Sequence, residues 1–208
     1  MLLTKIEPIK KELYRIEFDY EFVFALYSRE IKQFHLEEGI EVSDELVTLI
    51  EREIVIPRAR KKAMMLLKYS DRTKEELRKK LLEASFSASV AEEALSYVES
   101  YGYVDDARYI ENYVTFKKDR KSKKQIELEL LQKGVQKEEV IQYLEDNEWN
   151  ESEVLKKLVE KRLLGKVPCE PKEMQKHYQY FLRKGYSYSL VKKVIEEYLE
   201  EYESMEEN

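Results

Sequence analysis

Two different hydrophobic rhythms divide this chain. Near its start, Leu13, Ile16, Phe18, Phe22, Phe24 and Leu26 give two extended runs rich in aromatic and branched residues around Asp19, a composition suited to a pleated, half-buried surface. They predict a β-hairpin turning near Asp19 and Tyr20, with its register open because Leu13 and Ile16 stand three apart. A short helix is expected from residue 28 to about 35, before Gly39 breaks it. Ser43 should cap the next helix, with Asp44 and Glu45 at the positive end of its dipole. That helix is expected to run to about Ile56, where Pro57 should end it for want of an N–H and by ring clash with the preceding turn.

From Arg58 onward the pattern repeats. Leu77, Leu81, Phe86, Ala91 and Leu95 recur 49 residues later as Ile126, Leu130, Val135, Val140 and Leu144. A further copy follows about 51 residues on, at Phe181, Tyr186, Val191 and Ile195. Matching apolar positions at a fixed displacement imply one structural unit used several times. Helix starts are marked by Thr73 with Glu76, Ser89 with Glu92, Ser122 with Gln125, and Asn150 with Glu153, all at capping-box spacing. Ser189 marks a fifth start, and Pro171 suits the first turn of a sixth.

The expected fold is therefore mainly α. Three tandem three-helix modules, at residues 58–102, 103–148 and 149–208, form an elongated array, the last ending in an acidic tail. A β-hairpin and helix region, residues 1–57, precedes them. Helices of roughly 12 residues are too short to stand alone, so each must find its core against its neighbours. Trp149 is expected to wedge between the second and third modules.

Composition agrees, with 43% hydrophobic and 38% charged residues against only 5 Gly and 4 Pro, the balance of amphipathic helices with solvated outer faces. No apolar run has the length of a membrane span, and acids and Pro8 stand where a signal peptide would need apolar residues. A cytoplasmic protein without membrane contact is expected. Cys169 is the single cysteine and can form neither an internal disulfide nor a cysteine-based zinc cluster. His35 and His177 lack spaced partners, so neither metal nor cofactor is anticipated.

The net charge of −6 argues against a surface that clings to phosphate everywhere. The charge is uneven, however. Residues 58–80 are predominantly basic, 117–124 almost wholly so, and 196–207 acidic.

Three segments in order, residues 63–81, 102–109 and 129–135, together resemble the RecX family of recombinase regulators. The first holds Ala63, Leu66 and Leu67, then Glu76, Leu77, Arg78, Lys80 and Leu81. The second reads Gly102, Tyr103, Val104, Asp105, Asp106, Arg108 and Tyr109, and the third Glu129, Leu130, Lys133, Gly134 and Val135. Ser85 replaces a glycine common in that family, and the strongly basic 118–124 replaces a link that often contains one. The resemblance implies a non-enzymatic partner of the RecA recombinase and of its filament on single-stranded DNA. Such a protein would modulate, mostly inhibit, ATP hydrolysis and strand exchange in homologous recombination, DNA repair and the SOS response.

The residues suggest where such contacts could lie. Lys117, Lys118, Arg120, Lys121, Lys123 and Lys124 could meet DNA phosphates or an acidic protein patch, or could form a solvated link. Arg58, Arg60, Lys61 and Lys62, with Arg78, Lys79 and Lys80, are weaker candidates, because outward faces of helices need charge in any case. Asp105 and Asp106 are the best catalytic suspects, yet no third ligand, phosphate loop or histidine pair accompanies them, and a place at a helix N-terminus explains both. With Leu77, Leu81, Gly102, Arg108, Tyr109, Leu130 and Gly134 they are read as structural positions. Tyr97 with Tyr101, and Tyr109 with Tyr113, share helix faces and are expected to be buried, while Tyr178, Tyr180, Tyr186 and Tyr188 stay open. The competing reading is a helical-repeat nucleic-acid-binding protein acting without RecA, and an enzyme ranks last.

Overall fold

The computed structural model describes residues 1–147, 149–163 and 171–206; Cys169 and the end of the acidic tail lie outside them. Two compact units divide the chain, Met1–Asp106 and Ala107–Asn208.

The first unit opens with an antiparallel sheet in the order β1 (Leu3–Lys10), β2 (Leu13–Phe18), β3 (Glu21–Tyr27). The hairpin turns through Asp19 and Tyr20, which take φ of 51° and 70°, the left-handed pair that a two-residue turn requires. Asp19 Oδ1 also accepts the Leu2 N–H at 2.9 Å, tying the first strand to this turn. Strand β1 was not anticipated. Its Pro8 is tolerated because β1 is an edge strand with one side unpaired. The register shift between Ile16 and Glu17 leaves Val23 as an extra residue on β3, and Leu13 and Ile16 are both buried although they stand three apart on β2.

Helix α1 (Ser28–Gln33) follows the sheet, then α2 (Asp44–Ile50), capped as expected by Ser43, whose side chain accepts the Leu46 N–H. The break expected at Pro57 is absent. The chain instead passes through a π-helical turn, Glu51–Val55, directly into α3 (Ile56–Tyr69), with Pro57 in its first turn. A turn with i→i+5 bonding moves the carbonyl that the proline ring would strike and needs no donor from it. Helices α4 (Lys74–Glu83) and α5 (Ala88–Ser100) complete the unit. Sheet and helices share one core, in which Phe18, Phe24, Ile50, Leu77 and Leu81 are fully buried.

The second unit begins one residue into α6 (Asp106–Lys117), Asp106 itself belonging to the first, and carries α7 (Lys123–Gln132) and α8 (Lys137–Asp146), then α9 (Glu151–Leu163), α10 (Pro171–Arg183) and α11 (Tyr188–Glu206). Its two cores centre on Ile126 and Leu130, and on Leu155 and Phe181. Every apolar repeat position named above is buried. Trp149 packs against the Ile126 core.

The repeats start their third helices two residues earlier than the capping boxes suggested. Ser87, not Ser89, caps α5, and the side-chain oxygen of Ser187, not that of Ser189, accepts the Leu190 N–H at 3.3 Å. The buried pairs Phe86 and Ala91, Val135 and Val140, and Tyr186 and Val191 flank these caps at the positions of a hydrophobic staple. Burial of the staple sets the start of each helix. Before each staple the chain takes a left-handed residue, Ser85, Gly134 or Gly185, with φ of 68°, 83° and 87°.

Candidate partner-binding surfaces

In the first unit the basic side chains of α3 and α4 are largely engaged by neighbouring acids. Arg58 pairs with the buried Glu30, donates to the Ala25 carbonyl at 3.2 Å and lies 4.8 Å from the centre of the Tyr27 ring. Glu30 in turn accepts the Tyr27 N–H at 2.8 Å, so this pair fixes the start of α1. Arg60 reaches Glu93 at 2.5 Å and stacks 4.6 Å over Tyr97. Arg78 bridges Glu75 and Glu92, Lys79 meets Glu75 at 3.5 Å, and Lys80 meets Glu83 at 2.7 Å. Lys61 and Lys62 form no ion pair among the described residues.

A row of tyrosines lies beside Arg60. Tyr97 and Tyr101 have ring centres 5.0 Å apart, and Tyr101 stacks on Tyr103 at 6.0 Å with a 22° tilt. Tyr101 is 62% exposed and Tyr103 50%, so the burial expected for the Tyr97 and Tyr101 face stops short of Tyr101. Tyr109 and Tyr113 do pack against the Ile126 core, partly buried and stacked at 6.1 Å. Of the four left open, Tyr186 is buried, Tyr178 and Tyr180 are partly so, and Tyr188 is exposed.

The basic segment 117–124 splits into two groups. Lys121 donates to both oxygens of Glu129 at 2.5 and 2.6 Å, Lys123 donates to the Leu144 carbonyl at 2.9 Å, and Lys124 pairs with Glu127 at 2.9 Å. Burial works against charge on Glu129, but hydrogen bonds from Lys121, Tyr113 and Gln125 outweigh it and lower its pKa. The same contact, after burial, pushes the Tyr113 phenol upward. Lys117 instead lies 5.0 Å from the Phe116 ring, which is 70% exposed. Lys118 and Arg120 are exposed and form no ion pair among the described residues. The second group is the one available to an anionic partner.

Five of the motif positions are buried or take left-handed backbone turns. Leu77, Leu81 and Leu130 are fully buried, and Gly102 and Gly134 take φ of 67° and 83°. Asp106 opens α6, but its Oδ1 accepts the backbone N–H of Lys74, first residue of α4, at 2.9 Å. Glu151, first residue of α9, does the same for Lys123 at the start of α7, at 2.7 Å. An acid opening one helix triplet thus satisfies a free N–H at the second helix of the preceding triplet. This device was invisible in the sequence because its partners stand about thirty residues apart. Asp105 and Arg108 are exposed, and Tyr109 is half-buried.

His177 accepts from Arg162 at 3.0 Å, and burial together with that guanidinium lowers its pKa. Among the described residues no group of three His, Cys, Asp or Glu is placed to hold a metal, and no helix is long and apolar enough to cross a membrane.

Comparison with known proteins gives these features a family. Residues 59–97 match the first three-helix domain of RecX, and residues 150–195 the third. The regulatory protein RecX of Caldanaerobacter subterraneus is 30% identical over 199 residues, covering 94% of this chain and 98% of that protein. The chain belongs to the RecX family. The regulatory protein RecX of Leuconostoc mesenteroides is 29% identical over 204 residues, 96% of this chain and 76% of its own length. That of Clostridium acetobutylicum is 28% identical over 209 residues, 96% and 97% respectively. A crystal structure of regulatory protein RecX superposes with a TM-score of 0.61 at 25% identity, covering 94% of this chain and 98% of that one. RecX from Lactobacillus salivarius shares the fold with a TM-score of 0.55 at 22% identity, over 68% of this chain and 95% of its own.

Proposed function

We propose that this RecX-family chain is a non-enzymatic regulator that docks on the RecA recombinase and its filament on single-stranded DNA, restraining ATP hydrolysis and strand exchange. The observation that carries this reading is the match along nearly the whole chain to relatives named as regulatory proteins. The three-helix units read at residues 58–102, 103–148 and 149–208 are the docking modules. Lys61, Lys62, Lys117, Lys118 and Arg120 are the contacts to an acidic or phosphate surface, since exposed or half-exposed cations outside any ion pair among the described residues have the most electrostatic free energy to gain there. Paired residues such as Lys80 and Lys124 would first have to give up a partner.

The test is ATP hydrolysis by RecA on single-stranded DNA with increasing amounts of the chain. The rate should fall, and a rate unchanged at several-fold excess overturns the proposal. A second reading, nucleic-acid binding without RecA, is favoured by the exposed Tyr101 and Tyr103 stack beside Arg60. It requires affinity for single strands in the absence of recombinase that falls steeply with salt.

A further inference from the structure

The second unit holds a cavity of ≈ 170 Å³ that shares only Lys118 with the docking contacts. Lys118 and Asp119 enter it from the turn after α6, Trp149 and Asn150 from the residues before α9, and Glu153, Val154 and Lys157 from the first turns of α9. Its volume is well below the roughly 300–1,000 Å³ of clefts that take whole cofactors. It has room for one small ring system.

The lining decides what kind. Two lysines face two carboxylates, so the cavity carries no net charge and a lone anion would meet Asp119 and Glu153 as well as Lys118 and Lys157. What remains attractive is a flat, neutral, polar ring. Trp149 supplies an aromatic surface and Val154 an aliphatic one. The Asn150 Oδ1 is occupied by the Glu153 N–H at 3.2 Å, which leaves its Nδ2 to donate. Donors on Lys118, Lys157 and Asn150 beside acceptors on Asp119 and Glu153 match the mixed edge of a nucleobase. The same turn carries Arg120, exposed and unpaired among the described residues, where the phosphates of a strand would run.

We propose that this cavity receives a single unpaired nucleobase of a nucleic-acid strand, stacked against Trp149 and read by Asn150 and the flanking charges, with Arg120 on the backbone. Stacking is open to every base because each has a π-face, so occupancy does not require a particular sequence. The site operates without a recombinase. Its test is therefore separate from that of the proposed function.

Trp149 is the single tryptophan of the chain and reports on the cavity directly. The full chain is titrated at low salt, without RecA, with a short oligodeoxynucleotide, with an abasic oligomer of the same length and charge, and with the matching RNA. The base-containing strand should quench Trp149 emission to saturation and bind about tenfold more tightly than the abasic one, which should not quench. Comparing DNA with RNA identifies which strand the cavity prefers. Asn150→Asp keeps the cap of α9 but replaces the amide donor with a third carboxylate. In that variant the ratio of base-containing to abasic affinity should fall toward one. Equal affinity and equal quenching by the abasic oligomer, binding that leaves Trp149 emission unchanged, no binding at low salt, or a ratio unaffected by Asn150→Asp would each overturn the proposal.

Discussion

The Ser122 hydroxyl donates to the Lys184 carbonyl at 2.6 Å while accepting the Gln125 N–H at 3.1 Å. One buried oxygen thus caps α7 and holds the turn between α10 and α11. The neighbouring Gly185 has φ of +87°, and a Cβ there would lie 2.7 Å from Ser122 Oγ and 3.3 Å from the Gln125 nitrogen. Ser122→Ala removes the cap and leaves the carbonyl unmatched, which should cost about 1–2 kcal/mol in denaturant unfolding. Gly185→Ala adds a forbidden backbone region to a collision with the same oxygen and should cost about 1–3 kcal/mol. The two effects should be less than additive when combined, since each already disrupts the same contact.

Asp106 holds its proton more tightly in the folded chain than in the unfolded one. Burial raises its pKa above the usual 3.8, against the lowering effect of the Lys74 N–H and ammonium, with Glu99 and Asp105 adding to the rise. The folded state therefore keeps this proton to higher pH than the unfolded state. Stability from this group falls as pH rises from the unfolded value through the folded one. Asp106→Asn keeps an oxygen for the Lys74 N–H without the charge, so the variant should be at least as stable as the parent at neutral pH and should lose that pH dependence. Asp106→Ala has no acceptor and should be about 1 kcal/mol less stable. Urea unfolding at mildly acidic and at neutral pH separates the two.

Where local chemistry decided the structure, the sequence was sufficient. Thr73, Ser122 and Ser43 cap their helices as read, and the hairpin turns at Asp19 and Tyr20. The repeat from Leu77 to Ile126 to the third copy is buried throughout. Tertiary effects account for the differences. Ser89 had the better capping box, but burying Phe86 against the core placed the cap at Ser87. Pro57 reads as a stop until a π turn precedes it. Strand β1 has little alternation of its own and exists because β2 offers it a partner. The basic run 117–124 looked uniform in sequence, and the contrast between Lys121, held by Glu129, and Arg120, unpaired among the described residues, emerges only from the fold.

Ser85 occupies the place that Gly134 and Gly185 hold in the other repeats, with φ of 68°. A side chain in this region costs roughly 1–2 kcal/mol that glycine avoids, partly offset by the larger entropy of an unfolded glycine. Ser85→Gly should therefore stabilise the chain by about 0.5–1 kcal/mol, read as a shift in the denaturant midpoint without change of slope. A lower midpoint would show that the serine makes a compensating contact.

Arg58 and Glu30 form a pair in which the carboxylate side chain is only 8% exposed. Removing the arginine strands that charge among β3, α1 and α3. Arg58→Met should cost about 3–5 kcal/mol, and adding Glu30→Gln should recover a substantial part of it. Recovery in the double variant distinguishes a buried charge from a loss of stacking on Tyr27, which the second substitution cannot restore.

The two groups within 117–124 should separate in binding as they do in structure. Lys117, Lys118 and Arg120 have no acidic partner among the described residues, whereas Lys121 and Lys124 are held by Glu129 and Glu127. If the segment meets phosphate, each neutralised phosphate contributes roughly 0.7 to the salt slope on a single strand. Replacing Lys117, Lys118 and Arg120 with Gln should then lower the slope of log K against log salt by about 2. Replacing Lys121 and Lys124 with Gln should leave the slope nearly unchanged. The Lys121 change should instead lower thermal stability by removing the cation that holds Glu129 charged. The loss should be greatest above the carboxylate's unfolded pKa and should fade as pH falls through the depressed folded value. Salt titrations and melting curves on the two variants measure both halves of this expectation, and a slope change carried by Lys121 and Lys124 would reverse the assignment.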